Sequence, residues 1–262
     1  MQTVAGTGAC HIGAVFLRRC ASEIKKPAVY VGIPTWPNYE PLVTFAGLDV
    51  TKYRHLDPLT KKTDFAALLE TVASAPEGSI FILQGCCHNP TGAGFTKDQW
   101  KTLAAEMKKK NHIPFFDFAY QGLGQGMNED AWGVRYFADQ GFEMIVAQSF
   151  SKNFALYGER LGALHVVSPD NAQENVPKIV DQLRMLIRVE ISSTPAYASR
   201  LVNIVLADGN LRKEWLDELD SMRARLHGLR QRLYYLLTSE LKTPGNWDNI
   251  VEEEGLFRCV II

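Results

Sequence analysis

The chain has 262 residues, of which 46% are hydrophobic and 22% charged, and its formal net charge is −1. That is enough for one large or two ordinary globular domains. It lacks the basic surplus that nucleic acid or an anionic membrane would require, so small molecules and proteins are the expected partners.

The first segment of interest is Ala5-Gly6-Thr7-Gly8-Ala9, which runs into helical spacing from Ile12 to Cys20. Small residues let backbone approach a ligand, and a helix N-terminus offers free N–H groups to an anion. Thr7 adds a hydroxyl. A dinucleotide-binding GxGxxG would need glycine at position 11, where His11 stands. Taken alone, the segment reads equally well as a tight turn capping a helix. A first buried strand is expected over 28–32, a helix over 65–74 and a second strand over 79–83. The second strand runs into the turn Asn89-Pro90-Thr91-Gly92, which presents Asn89 at the strand's carboxyl end. No metal site is expected from Cys86, Cys87 and His88, because zinc ligation needs spacings such as CxxC.

An amphipathic helix over 96–110 precedes the strand 113–116, which closes on Asp117. A carboxylate there is costly to bury unless it meets a cation or a strong donor. It can serve as metal ligand, general base or counter-ion to a protonated heterocycle. Tyr120 supplies a phenol near the same mouth. The strand 144–147 delivers Ser149, Ser151 and Lys152. Apolar surroundings lower a lysine pKa and make its amine nucleophilic. Arg160, eight residues on, suits bidentate phosphate contact, and a further strand covers 163–167. Finally Trp215, Leu219, Met222, Leu226, Leu229, Leu233 and Leu236 form the narrow apolar seam of one long helix, read as a spine joining domains. The cluster Thr243-Pro244-Gly245-Asn246 ends it.

Strands alternating with helices define an α/β fold, a mostly parallel central sheet flanked by helices, whose ligand sits at the carboxyl ends of the strands. The five cysteines, Cys10, Cys20, Cys86, Cys87 and Cys259, are odd in number and form no CxxC. They argue against a disulfide framework and for a reducing compartment. No signal peptide is visible, and no apolar run approaches the length of a membrane span.

Together the segments GTGA, PTW, HNPTG, FFDFAYQG and QSFSKNFALYGERLG, in that order, resemble the fold-type I pyridoxal-phosphate aminotransferases, specifically the aspartate aminotransferase subgroup. The resemblance runs through the whole chain. It implies a large domain over 1–212 that binds pyridoxal 5'-phosphate, then an interdomain helix and the start of a small domain over 213–262. It implies that Lys152 is the Schiff-base lysine and the proton carrier of the reaction. Asp117 is then the partner of the pyridine nitrogen, and Tyr120 and Asn89 those of the phenolic oxygen. Trp36 becomes the ring-stacking residue, and Gly6, Thr7, Ser149 and Arg160 the phosphate ligands. The implied reaction is ping-pong amino transfer between L-aspartate and 2-oxoglutarate, with Arg188 binding the distal carboxylate across a homodimer interface, beside Trp36 and Asn89. The alternatives are a broader or aromatic amino acid aminotransferase, and a cofactor-binding chain without turnover.

Against the family pattern, Ala5 replaces a frequent phosphate-contacting serine. Tyr39 and Gln84 stand where many members have histidines behind the ring-nitrogen aspartate. The family's upstream tyrosine and its arginine for the substrate α-carboxylate have no match, so the chain is expected to be a fragment of the full subunit. The cytoplasm is the expected compartment, and the missing start keeps the mitochondrial matrix open.

Overall fold

The computed structural model describes residues 1–21 and 26–257; Cys259 and the 258–262 portion of the final apolar run lie outside the described residues. A short strand β1 (Gln2–Val4) leads directly into α1 (Ala5–Cys20), followed by β2 (Val29–Ile33), α2 (Tyr39–Phe45) and β3 (Val50–Arg54). Next come α3 (Phe65–Ser74), β4 (Ile80–Gln84), α4 (Lys97–Lys109), β5 (Ile113–Phe118), α5 (Trp132–Asp139), β6 (Met144–Ser149) and β7 (Leu161–Val167). The chain ends in helices: α6 (Val176–Ile191), α7 (Tyr197–Ala207), the long α8 (Gly209–Tyr235) and the single-turn α9 (Asn249–Glu252). No helix among the described residues is long and apolar enough to cross a membrane.

The strands form one seven-stranded sheet in the order β1-β7-β6-β5-β4-β2-β3. β6, β5, β4, β2 and β3 are parallel, whereas β7 is antiparallel to both β6 and β1. Parallel strands covered on both faces read as unbroken apolar runs, and Ile80, Phe81, Ile82 and Leu83 of β4 are all buried. One face packs on α1, α2 and α6 through Phe16, Val43 and Leu183. The other packs on α3, α4 and α5 through Leu68, Trp100 and Phe137. There Phe116 is fully buried between the rings of Trp100 and Phe137, at centroid distances of 5.7 and 5.2 Å. Such burial stabilises the fold by about 1.5–3 kcal/mol per large apolar side chain. Helix starts are fixed locally. Thr96 and Gln99 form a reciprocal capping box on α4, and the Asp64 carboxylate accepts from the Ala67 N–H (3.0 Å) at α3.

Several expectations are corrected. Every expected strand exists, with edges moved by one or two residues. β1 and β3 were not anticipated: β1 is too short to show a pattern, and β3 is an edge strand whose residues are mostly polar and exposed. The glycine-rich segment 5–9 is not a loop before a helix but the first turns of α1 itself. The long helix exists as α8, and the expected boundary between 212 and 213 falls in its first turn. Its apolar seam is only partly covered: Leu219 is buried, whereas Met222, Leu229 and Leu233 are exposed among the described residues.

Candidate active site

Strand direction alone brings distant segments to one rim. β4, β5 and β6 end side by side, and their carboxyl ends carry Gln84, Asp117 and Ser149. Because β7 runs back against β6, with Gly162 opposite Ser149, Arg160 lies at that same rim. β1 is antiparallel to β7, with Val4 opposite Leu161, so the first turn of α1 arrives there too. The strands meet closely at this point. A Cβ on Gly162 would lie 2.3 Å from the Ala5 carbonyl oxygen, and one on Gly6 would lie 2.9 Å from the Cβ of Ser149.

The result is a cleft at the carboxyl ends of these strands. Gly6 and Thr7 line it from α1, Trp36 from the turn before α2 and Asn89 from the turn after β4. Asp117, Tyr120, Ser149, Lys152 and Arg160 complete the wall. Every predicted residue except Arg188 is therefore here. Arg188 sits exposed on α6, outside the cleft, where its Nη1 donates to Ser192 Oγ at 2.5 Å. Tyr157 also lines the cleft and was not anticipated. Its one sequence signal was position, between Lys152 and Arg160.

Asp117 is 8% exposed, and the Tyr39 hydroxyl donates to its Oδ2 at 2.5 Å. Burial pushes this carboxyl above the ordinary aspartate range, while the Tyr39 hydrogen bond and the nearby Lys152 charge pull it back. Burial lowers the Lys152 pKa; the Asp117 carboxylate opposes that shift and the Arg160 guanidinium reinforces it. Lys152 Nζ stands 4.7 Å from the centre of the Tyr120 ring. Its surroundings are thus ionic and aromatic rather than simply apolar, which corrects the expectation. The Tyr120 phenol is pushed up by burial and by Asp117, and the Asn89 side chain hydrogen-bonds to it. Asn89 is held in turn by Gln84, whose side chain donates to the Asn89 carbonyl (2.9 Å) and accepts from its N–H (2.7 Å).

One end of the cleft suits a phosphate. The Ala5 N–H donates to the Arg160 carbonyl (3.0 Å) and no side chain caps α1, which leaves the N–H groups after Ala5 to meet an anion. Thr7 and Ser149 bring hydroxyls, and the Arg160 guanidinium brings charge. The other features fit a protonated heteroaromatic ring: a buried carboxylate for its cation, the Trp36 indole for its face and a phenol and amide for an oxygen substituent. An amine at Lys152 completes a set that matches pyridoxal 5'-phosphate group by group.

Two neighbouring clusters are structural. Ligand atoms of Cys86, Cys87 and Asp130 lie within 4.8 Å of one another. However, Asp130 already accepts from the N–H groups of Gly122 (2.8 Å), Gly124 (3.1 Å) and Gln125 (2.8 Å), so it serves the loop. His88 turns away from the cysteines to Thr91 (2.9 Å) and stacks on His55 at 3.9 Å. His55 is 5% exposed, its Nε2 has no hydrogen-bond partner among the described residues, and burial lowers its pKa to about 4. A base with a depressed folded-state pKa takes up its proton more readily when unfolded. Stability is therefore intact above the unfolded value near 6.5 and falls as pH drops from there towards 4. The loss over that window is about 3 kcal/mol, and His88, lowered by burial and by His55, adds in the same direction. Acid unfolding followed by circular dichroism checks this: His55→Phe, which keeps the stacked ring, should move the acid midpoint to lower pH.

Comparison with known proteins places this cleft in context. The model of the family described as "Aminotransferase class I and II" matches residues 1–261. Aminotransferase tasG of Hapsidospora irregularis is 50% identical over 94% of this chain and 74% of its own length. The cytoplasmic aspartate aminotransferase of Dictyostelium discoideum is 43% identical over 98% of this chain and 58% of its own length. Among solved structures, an aromatic-amino-acid aminotransferase from Burkholderia pseudomallei, covalently bound to pyridoxal phosphate, superposes with a TM-score of 0.93. It is 35% identical over 98% of this chain and 63% of its own. The chain thus spans less than two thirds of the length of the latter two proteins.

Proposed function

Because the chain belongs to the class I and II aminotransferase family, we propose that it carries the cofactor site of a pyridoxal-phosphate-dependent transaminase acting on L-aspartate and 2-oxoglutarate, with Lys152 as the residue that bonds the cofactor. The observation that carries this reading is the convergence of the Lys152 amine and the buried Asp117 carboxylate on one cleft, whose far end joins the uncapped α1 N-terminus to Arg160. When bound, the cofactor supplies an aldehyde for Schiff-base formation and a cationic ring that draws electrons from the substrate Cα.

The chain's own residues do the rest. Gly6, Thr7, Ser149 and Arg160 hold the phosphate and so fix the ring's depth. Trp36 covers one ring face. The Asp117 carboxylate would hold a proton at the ring nitrogen, and Tyr120 with Asn89 would orient the phenolic oxygen. Lys152 Nζ, its basicity trimmed by burial, would take the proton from the substrate Cα and deliver it two atoms away, beyond the nitrogen.

Arg188 supports the dicarboxylic preference and a homodimer with shared sites. It lies outside its own cleft, on a helix where Met185 and the 77%-exposed Val189 leave an apolar face open. On this reading Arg188 serves the partner's site. Arg188→Leu should lower kcat/KM for aspartate by about 100-fold, as expected for a lost charge-assisted carboxylate contact, while sparing aromatic substrates. Mixing Arg188→Leu with Lys152→Ala subunits should then restore activity, because one site of the mixed dimer regains both residues. Absence of restoration counts against the shared site. Equal turnover of aromatic amino acids by the unmodified protein favours the broader aminotransferase instead.

The test of the core reading is direct. The protein loaded with pyridoxal 5'-phosphate should be yellow, and borohydride followed by peptide mapping should find the label on Lys152. Label on Lys97 or Lys110 overturns it.

A further inference from the structure

We infer that Tyr39 is a positioning residue for the reaction: its hydroxyl fixes the Asp117 carboxylate by one oxygen, so that the other is presented to the ring nitrogen as a stronger acid's conjugate base than an unsupported buried aspartate would be. This deepens the functional reading above and rests on it.

Geometry carries the inference. Tyr39 opens α2, is 1% exposed, and donates to Oδ2 of Asp117 at 2.5 Å. Trp36 packs edge-on against it, with ring centroids 5.3 Å apart and planes at 87°. The phenol therefore has little room to swing away. A hydrogen bond from a neutral donor to a carboxylate spreads the negative charge and makes the group a weaker base. Other groups facing the pair are Cys10 from α1, Tyr120 from the loop after β5, and Lys152 from the loop after β6. Among these, the Cys10 thiol and the two phenols are held neutral by burial, with their pKa values raised. The Asp117 carboxyl is thus faced by neutral groups and by the Lys152 amine. Tyr39 does not itself line the cleft, so it adjusts the acid without competing for substrate.

The consequence concerns where a proton rests. A carboxylate left to burial alone would be more basic and would draw the ring nitrogen's proton towards itself, which weakens the ring as an electron acceptor. Tyr39 opposes this while keeping the charge that attracts the proton. Gln84, the neighbouring polar residue behind the site, is spent on the Asn89 backbone and donates nothing to Asp117 among the described contacts. Tyr39 therefore acts on Asp117 without help from that side.

The experiment compares the wild-type protein with Tyr39→Phe, both loaded with pyridoxal 5'-phosphate. It reads the pH midpoint of the cofactor's colour change by absorbance, alongside kcat and KM. Tyr39→Phe keeps the ring and its contact with Trp36, so cofactor fixation on Lys152 by borohydride should persist. The midpoint should rise by about 0.5 pH unit or more. kcat should fall about tenfold with KM within about twofold of wild type, the pattern of an interaction felt in the transition state. A midpoint unmoved within about 0.2 unit, or lowered, overturns the proposal whatever kcat does. Failure of the wild-type protein to fix cofactor on Lys152 overturns the functional reading and this proposal with it. Fixation with an unmoved midpoint overturns the proposal alone. Should Tyr39→Phe fail to fold, 3-fluorotyrosine placed at position 39 keeps both shape and hydroxyl. Its more acidic phenol should shift the midpoint downward, and an upward or absent shift counts against the role.

Discussion

Lys152→Ala should end borohydride fixation of the cofactor and lower transaminase turnover by about 10⁴-fold or more, because on the proposed reading one side chain is both the covalent anchor and the proton carrier. The cofactor should nevertheless still bind, and the protein should remain coloured. The proposed phosphate cradle of Gly6, Thr7, Ser149 and Arg160 is built from α1 and from the rim where β6 meets β7, and does not include Lys152. Lys152→Arg separates charge from chemistry. It restores a cation opposite Asp117 but stays protonated and cannot form the Schiff base, so it should be as inactive as the alanine variant. Absorbance titration measures binding and a coupled oxaloacetate assay measures turnover. An alanine variant that still turns over within tenfold of wild type would remove Lys152 from the chemistry.

How much of this was legible beforehand differs by level. The parallel core was legible because β4, β5 and β6 are buried on both faces, which leaves unbroken apolar runs such as Ile80 to Leu83. β3 was not, since an edge strand with Thr51, Lys52 and Arg54 facing solvent has no apolar period. The residues that line the cleft were legible through their order along the chain and their positions at strand ends. Two meetings were implied by the family resemblance alone and by no local pattern of residues. One was the meeting of Arg160 with Ser149 and α1, which depends on β7 reversing direction, a fact about pairing that no local window contains. The other was the pairing of Tyr39 with Asp117, since 78 residues separate them and only the stacking of β2, β4 and β5 beneath α2 brings them together. The long seam of α8 shows the opposite failure. A regular apolar period predicted a covered helix face, but periodicity reports what a face is made of and not what lies against it.

The second large effect is expected at Asp117. Asp117→Asn keeps the volume and an acceptor for the Tyr39 hydroxyl but removes the charge. Turnover should fall by about 10³-fold, the scale of losing one preorganised electrostatic contact to a developing charge, while borohydride still fixes the cofactor on Lys152. The neighbouring amine should respond too. The Asp117 carboxylate raises the Lys152 pKa against the lowering by burial and Arg160. Removing it should therefore move the pH midpoint of Lys152 acylation in the cofactor-free protein to lower pH. Stability should move the other way from activity. Burial holds the Asp117 pKa above its ordinary value, so its contribution to folding is full below that ordinary value and is lost as pH rises through the raised one. Once ionised, the buried carboxylate costs the fold stability, and above that pH the asparagine variant should melt no lower than wild type. A variant that loses turnover and melting temperature together would make Asp117 a structural residue. One that loses only turnover identifies a charge kept buried, against the interest of the fold, for what it does to the ring.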